Sequence, residues 1–242
     1  MILLLAPILI TVVISKLVLN RKTCSHPSES FLIFESRLAK ADGTTYANAD
    51  ESALTNNAIM HLFSRIEYHL SNQLIESLTY PGQATNMLGL LKYSDDFSKA
   101  QASINCSIKT QQQLQLKLVI MDSTHAYLIQ STTIKGTFSF QIPLNHIFDF
   151  CENYDKIVYG LKHSLTLVRK TDDDAIFRGA ADGAGKVSLD KISWFMPHVI
   201  SADAEKFSIY KTIESEVNLQ VAYKTRQVIC YQFLNRQVSH GG

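Results

Sequence analysis

Two long stretches of alternating apolar and polar residues constrain this chain more than any other feature of its sequence. They are residues 157–169 (IVYGLKHSLTLVR) and residues 186–199 (KVSLDKISWFMPHV). Such alternation is typical of a β-strand with one buried face, because successive side chains point to opposite sides. On the first strand the more apolar face, which we expect in the core, carries Leu161, His163, Leu165 and Leu167. The opposite face carries Lys162, Ser164, Thr166 and Val168.

Shorter patterns predict further strands with small helices between them. The predicted strands are residues 31–38, 65–70, 73–77, 114–121, 125–131 and 136–142, with Ser71 and Asn72 as a hairpin turn. Short helices are predicted at residues 58–64 (capped by residues 55–57), 83–93, 144–150 and 203–216, the last with Ser201 as a cap. Many short strands joined in this way favour a sandwich over an alternating α/β fold. We therefore predict an all-β protein with short helices, folded as an antiparallel jelly-roll sandwich over residues 31–200.

The composition agrees with a folded, β-rich chain and excludes some classes of protein. Of the 242 residues, 46% are apolar and 10% are aromatic, which excludes a disordered or low-complexity chain. Twelve Phe and ten Tyr favour strands. The 23 basic and 22 acidic residues leave a net charge of +1, so there is no electrostatic signal for direct nucleic-acid binding.

Two loops resemble ligand-binding motifs but depart from them where the chemistry needs particular residues. The glycine-rich residues 179–186 have Ala184 where a phosphate loop needs Gly, and Val187 where it needs Ser or Thr. This segment also leads into a predicted strand and not into a helix, so a tight hairpin turn explains the glycines better. Residues 172–174 are three aspartates without the spaced ligands of a calcium loop, and a solvated loop is the simpler interpretation.

The histidines and cysteines show no spacing typical of a metal or catalytic site. The eight histidines never fall in an HxH or HExxH pattern, and we interpret His198 as a turn or core residue. Cys24, Cys106, Cys151 and Cys230 are too sparse for a disulfide framework, and we expect buried thiols. Trp194 is expected in the core. The sequence therefore predicts no catalytic residue, no cofactor and no metal ligand.

The N-terminus is apolar from Met1 to Leu19 and ends at Asn20, Arg21 and Lys22. It could be a signal anchor with the basic pair on the cytoplasmic side. It is short for a membrane span, however, and Pro7 and Lys16 interrupt it. It also lacks the positive start and the cleavage site of a secretory signal. Membrane insertion through residues 1–19 is therefore considered but not favoured.

Several segments resemble one known family. Residues 52–93 (SALTNNAIMHLFSRIEYHLSNQLIESLTYPGQATNMLGLLKY) are similar to the major capsid proteins of Polinton (Maverick) elements and related double jelly-roll viruses. Residues 140–150 (FQIPLNHIFDF), 154–178 and 185–200 (GKVSLDKISWFMPHVI) share that resemblance. The resemblance extends over roughly residues 27–100 and 127–227.

The resemblance implies a vertical jelly roll, self-association into pseudo-hexameric trimers, no catalysis, and a virion or intracellular location. It divides the chain into an apolar segment (1–26), a jelly-roll domain (27–200), and a bridge helix with a truncated start of a second jelly roll (201–242). The leading hypothesis is a truncated capsid-type subunit from an integrated virus-like element, whose trimer the truncation puts in doubt. The alternative is a host-adapted β-sandwich that is anchored in a membrane by residues 1–19 and binds a ligand or partner.

Three stretches of this chain lack the resemblance as they stand, but their codons can encode family-like sequence in a shifted reading frame. If each codon starts at the third base of the present one, codons allowed for residues 228–241 can read DMLSVPQSTSFSW. Residues 103–123 can read NQLFYKDTAATAAKTSYNGF, and residues 16–25 can read ISIKQEDLFT. Each reading resembles the family segment expected at its place. We therefore expect that these three stretches are translated out of the ancestral frame. The apolar N-terminus would then be a by-product of the frame shift and not an evolved membrane anchor.

Overall fold

The fold is seen in a computed structural model that describes residues 14–19, 24–44, 53–55, 57–92, 137–171, 174–177, 185–200, 202–215 and 221–229. Its strands are β1 (Ile14–Leu19), β2 (Cys24–Ser25), β3 (Phe31–Lys40), β4 (Ala53–Leu54), β5 (Phe63–Leu70), β6 (Gln73–Thr79), β7 (Thr137–Pro143), β8 (Val158–Tyr159), β9 (His163–Arg169), β10 (Ile176–Phe177), β11 (Gly185–Phe195) and β12 (His198–Val199). Its helices are α1 (Ala58–His61), α2 (Pro81–Lys92), α3 (Asp149–Asn153) and α4 (Asp203–Glu214), with 3₁₀ turns at Pro27–Glu29 and Leu144–His146.

The strands form antiparallel sheets, which confirms the predicted all-β jelly-roll class. One sheet has four strands in the order β1-β9-β5-β6, and a second has three in the order β11-β3-β7. A smaller sheet joins β12, β2 and β8, and β10 pairs with β4. Neighbours such as β3 and β11 are far apart in sequence, so the sheets are assembled largely by long-range pairing.

The two larger sheets pack face to face through aromatic side chains. Phe34 of β3 contacts Phe63 of β5, with ring centroids 5.9 Å apart. Trp194 of β11 meets Tyr68 of β5 edge to face at 6.4 Å, and both are fully buried. Strand β3 buries alternate residues along most of its length, as a strand with one core face should. The sandwich core and the burial of Trp194 are thus as predicted.

The hairpin between β5 and β6 turns at Ser71 and Asn72, as predicted. Both residues have positive φ, at 48° and 70°. Two successive residues in this region make the type of turn whose twist matches a hairpin. The Ser71 amide also donates to the Lys162 carbonyl at 2.7 Å, which fastens the turn to the start of β9.

The two long predicted strands are each broken, so the prediction of single strands was wrong. Residues 157–169 divide into β8 and β9 because Gly160 has φ +70°, a left-handed conformation that a strand does not contain. Leu161 lies in this break and is 41% exposed, whereas the other three residues of the predicted core face are buried. Residues 186–199 divide into β11 and β12 at Met196 and Pro197, because proline has no amide for the ladder.

Two predicted helix boundaries also need correction. The helix predicted at residues 58–64 ends at His61, because Phe63 already belongs to β5. Asn57 precedes it in a left-handed conformation and makes no capping bond; its side chain donates instead to Thr85 Oγ1 at 2.6 Å. Helix α2 begins at Pro81 and not at residue 83, since proline suits the first position of a helix.

The described part of the apolar N-terminus is a strand. Ile14–Leu19 pairs antiparallel with β9, from Ile14 beside Val168 to Leu19 beside His163. Within the described residues no helix is long and apolar enough to cross a membrane. The predicted strands at 114–121 and 125–131, Ser201, Cys106, Cys230 and residues 179–184 lie outside the described residues.

Candidate functional site

Residues 172–173 and 179–184, which make up most of the two loops that resemble ligand-binding motifs, lie outside the described residues. No group of three or more His, Cys, Asp or Glu side chains that could hold a metal ion occurs in the part of the chain that the structure describes. Asp174 pairs with Lys170 at 2.5 Å, and this ion pair lowers the pKa of the aspartate. Cys24 and Cys151 are buried, as expected of structural thiols, and burial raises the pKa of Cys151.

A buried chain of hydrogen bonds joins Ser25, His163 and Tyr68. The Ser25 hydroxyl lies 2.6 Å from His163 Nε2, and the Tyr68 hydroxyl lies 2.6 Å from His163 Nδ1. Ser25 also donates to the carbonyl of Val158 at 3.0 Å. All three side chains of this latch chain, as we call Ser25, His163 and Tyr68, are almost fully buried. It links β2 through β9 to β5, and so crosses from the small sheet to the four-stranded one.

The latch chain shares a serine and a histidine with a catalytic triad, but it has a tyrosine where the triad has a carboxylate. Because Ser25 donates to Val158, His163 must donate from Nε2 and accept from Tyr68 at Nδ1. Burial raises the pKa of Tyr68 well above its usual value, so the phenol stays neutral and supplies no negative charge. A triad needs a base that can take the serine proton and an anion that stabilises it. The geometry therefore fits a structural link.

A second polar cluster surrounds the start of α3. Glu76 of β6 is buried, and its two oxygens accept from the amides of Asp149 and Phe150 at 3.1 and 2.9 Å. The first amides of a helix have no partner within it, so this carboxylate supplies their missing acceptors. Burial raises the pKa of Glu76, while the two amide bonds act in the opposite direction.

Arg226 fastens the segment beyond α4 to this same cluster. Its guanidinium bonds to Asp149 at 2.5 Å, to Glu152 at 3.1 Å and to the His146 carbonyl at 3.4 Å. Lys92 at the end of α2 pairs with the other oxygen of Glu152. Burial, with the nearby cations Lys92 and Arg226, lowers the pKa of His146 to about 4.

Tyr223 adds an apolar contact to this attachment. Its hydroxyl donates to the Ile75 carbonyl at 2.7 Å, and its ring meets Phe150 edge to face at 5.3 Å. Residues 221–229 therefore lie against the sandwich through Tyr223 and Arg226, although they form neither helix nor strand. We call this segment, residues 221–229, the C-terminal strap.

Large apolar side chains are exposed on two helices. On α2, Met87, Leu90 and Leu91 lie on one side of the helix, with Leu91 87% exposed. On α4, Phe207 is 64% exposed, and Tyr210 reaches back to Tyr159, whose hydroxyl donates to it at 2.8 Å. Exposed apolar patches of this kind are typical of surfaces that contact other proteins.

A cleft of about 420 Å³ opens at one end of the sandwich. His26 crosses it and bonds to the Asp155 carbonyl at 2.7 Å, with Glu29 3.8 Å away. The remaining lining is Lys156, Ile157, Pro197 and Val199. Its mixed, open lining does not converge on one point, so it is not an active site of recognisable chemistry.

Sequence reasoning missed both polar clusters. His163 was assigned only to a core face, and neither Ser25 nor Tyr68 was connected with it. The one available signal was a histidine at a core position of an apolar strand, which predicts a buried partner. Nothing local marked Glu76 or Arg226, since their partners lie 73 and 77 residues away.

Comparisons with known proteins find a matching family and a similar solved structure. The sequence matches the family described as double jelly roll-like domain over residues 52–241. A solved structure, the PBCV-1 virus capsid, aligns with 86% of this chain at 11% identity and a TM-score of 0.41. The aligned part is 45% of that capsid chain, so this chain spans less than half of its length. A comparison with curated proteins finds no match.

Proposed function

The chain belongs to the double jelly roll-like domain family, and from this premise we propose that it is a capsid-type structural protein that associates with copies of itself. The observation that carries the proposal is the family match over residues 52–241, together with the antiparallel sandwich that those residues help to form. A capsid-type protein acts by presenting surfaces on which copies assemble, and this role requires no catalysed reaction.

The polar groups of the interior support a structural role. Ser25, His163 and Tyr68 satisfy one another, and Glu76 is occupied by the amides of α3. Buried networks that are fully satisfied stabilise one arrangement of a core. The exposed apolar residues of α2 and α4 supply surface on which copies could pack.

We further propose that the subunit derives from an integrated virus-like element of the Polinton type. The support is the resemblance of residues 52–93, 140–150, 154–178 and 185–200 to the coat proteins of those elements. Residues 27–200 are then the jelly-roll unit, and α4 with the C-terminal strap is the connection beyond it. The coding DNA and its flanks test the origin: terminal repeats or neighbouring virus-type genes support it, and an unrelated host setting contradicts it. The same DNA tests the out-of-frame readings of residues 16–25, 103–123 and 228–241.

Self-association is tested by sedimentation velocity and native mass spectrometry of the purified chain. The proposal expects a discrete oligomer, with a trimer as the form that the family resemblance implies. Phe207→Glu places a charge on the exposed face of α4 and should weaken association. Ser208→Glu places the same charge on the next exposed residue and is the matched control. A chain that remains monomeric at high concentration contradicts the proposal.

A further inference from the structure

The latch chain attaches the very short strand β2 to the sandwich through His163, which can be protonated. Strand β2 has two residues, which pair with equally short β8 on one side and β12 on the other. We propose that the latch chain of Ser25, His163 and Tyr68 is an acid-sensitive latch, which releases β2 from the sandwich when His163 becomes protonated. The latch depends only on the fold, whereas its use in opening a coat would rest on the proposed function.

Protonation of His163 adds a proton at Nδ1, the atom to which the Tyr68 hydroxyl already donates its own proton. At neutral pH, His163 Nδ1 accepts from the Tyr68 hydroxyl, and both neighbours are 2.6 Å from the ring. A proton on Nδ1 turns this acceptor into a donor, so the Tyr68 oxygen must accept from the ring where its hydroxyl donated before. The phenol proton must then turn away from the imidazole into a fully buried environment, where it loses its present acceptor.

Among the described residues, the groups that face His163 offer no negative charge to balance the new positive one. From β2 it meets Ser25, from β5 Tyr68, and from β11 the Trp194 ring at 6.4 Å. From β12 comes buried His198, which disfavours a positive charge on His163. Beyond Tyr68 lie the Cys151 thiol, whose pKa is raised by burial, and then Glu76. Burial first, and then His198, lowers the pKa of His163 from 6.5 to about 4.

The sign of the pH dependence follows from this lowered pKa. Between pH 6.5 and about 4, a state in which His163 reaches water binds a proton that the closed state does not bind. Acid therefore favours the open state. The closed state is destabilised by the full amount only below its own His163 pKa of about 4. At pH 5 the open population should rise about 20-fold relative to pH 7.

The weak side of the latch is Ser25. Tyr68 lies within β5, which pairs along its length with β6 and β9. The contacts of β2 include two short ladders and the Ser25 bonds, and the adjacent His26 bonds through its amide to the Pro197 carbonyl and through its ring to the Asp155 carbonyl. Short segments with few hydrogen bonds open at lower free energy than central strands. Acid should thus release β2 while β5 stays closed.

Hydrogen exchange of the full chain between pH 7 and pH 4.5 tests the latch, with rates corrected for their intrinsic pH dependence. Between pH 7 and pH 5, amides of residues 24–30 should lose protection about 20-fold more than amides of Phe63–Leu70. His163→Gln should abolish this acid step. His69→Gln, which removes a part-exposed histidine from β5, should retain it.

The proposal is overturned if the acid step persists in His163→Gln, or if residues 24–30 and β5 lose protection together. Should His163→Gln fail to fold, exchange at the histidine C2 position of the wild-type chain decides. Titration of His163 near pH 4 in the closed protein supports the latch, and titration near pH 6.5 excludes it. Both readings hold for an unassembled chain, so a failed latch is distinguishable from a failed coat proposal.

Discussion

Replacement of Arg226 by alanine should detach the C-terminal strap from the sandwich. The guanidinium is 15% exposed and bonds to two carboxylates and one carbonyl. Without it, Asp149 keeps a nearly buried negative charge beside Glu76, which is itself buried. The variant therefore loses the attraction between Arg226 and Asp149, while the repulsion between Asp149 and Glu76 remains.

The loss of unfolding free energy in Arg226→Ala should lie between the values for a surface ion pair and for a buried ion pair. Hydrogen bonds to charged groups contribute about 1.5–3 kcal/mol each, and breaking a fully buried pair costs about 3–5 kcal/mol. Because Arg226 retains some contact with water, we expect the free energy of unfolding to fall by about 2–3 kcal/mol. The urea midpoint should then fall by about 1 M.

Urea unfolding followed by tryptophan fluorescence measures this change. Trp194 is the one tryptophan of the sequence and is fully buried between the sheets, so its emission reports the core. Lys224→Ala removes an exposed cation from the same segment and should change the midpoint little. Equal, small effects of Arg226→Ala and Lys224→Ala would refute the docking of the strap.

Three further substitutions or reactions probe the packing. Gly82→Ala should cost about 1–3 kcal/mol of unfolding free energy, because its Cβ would lie 2.4 Å from His61 Nδ1, and His61→Ala in the same chain should remove most of that cost. Gly160→Ala should cost about 1–2 kcal/mol from its φ of +70° alone, since no atom lies within 4 Å of the added Cβ. Cys151 should resist iodoacetamide at neutral pH until urea unfolds the chain, as peptide mass spectrometry can show; rapid labelling of the native chain would contradict its burial.

The sequence predicted the strands well because their signal is local. Alternation in β3, β5 and β7 depends only on neighbouring residues, and each strand was found within a few positions. The breaks were missed for equally local reasons that alternation does not report. Gly160 takes a left-handed conformation, and Pro197 interrupts a ladder, while the residues around both still alternate.

The polar clusters could not be predicted because their partners are distant in sequence. Ser25 and His163 are 138 residues apart, and Asp149 and Arg226 are 77 apart. Only the topology of the sheets brings them together, and no pattern within either segment specifies the other. The strand at residues 14–19 was not predicted for a related reason: its partner, β9, lies far along the chain.

The central claim is that this sandwich is a coat subunit, and cryo-electron microscopy of the purified chain tests it most directly. The account predicts particles in which copies surround a three-fold axis, with the strands of the sandwich roughly parallel to that axis. Density for β5 and β9 at the centre of one sheet, facing β3 in the other, should fit each copy. Isolated single copies, or an assembly whose subunits do not contain this two-sheet sandwich, would contradict the account.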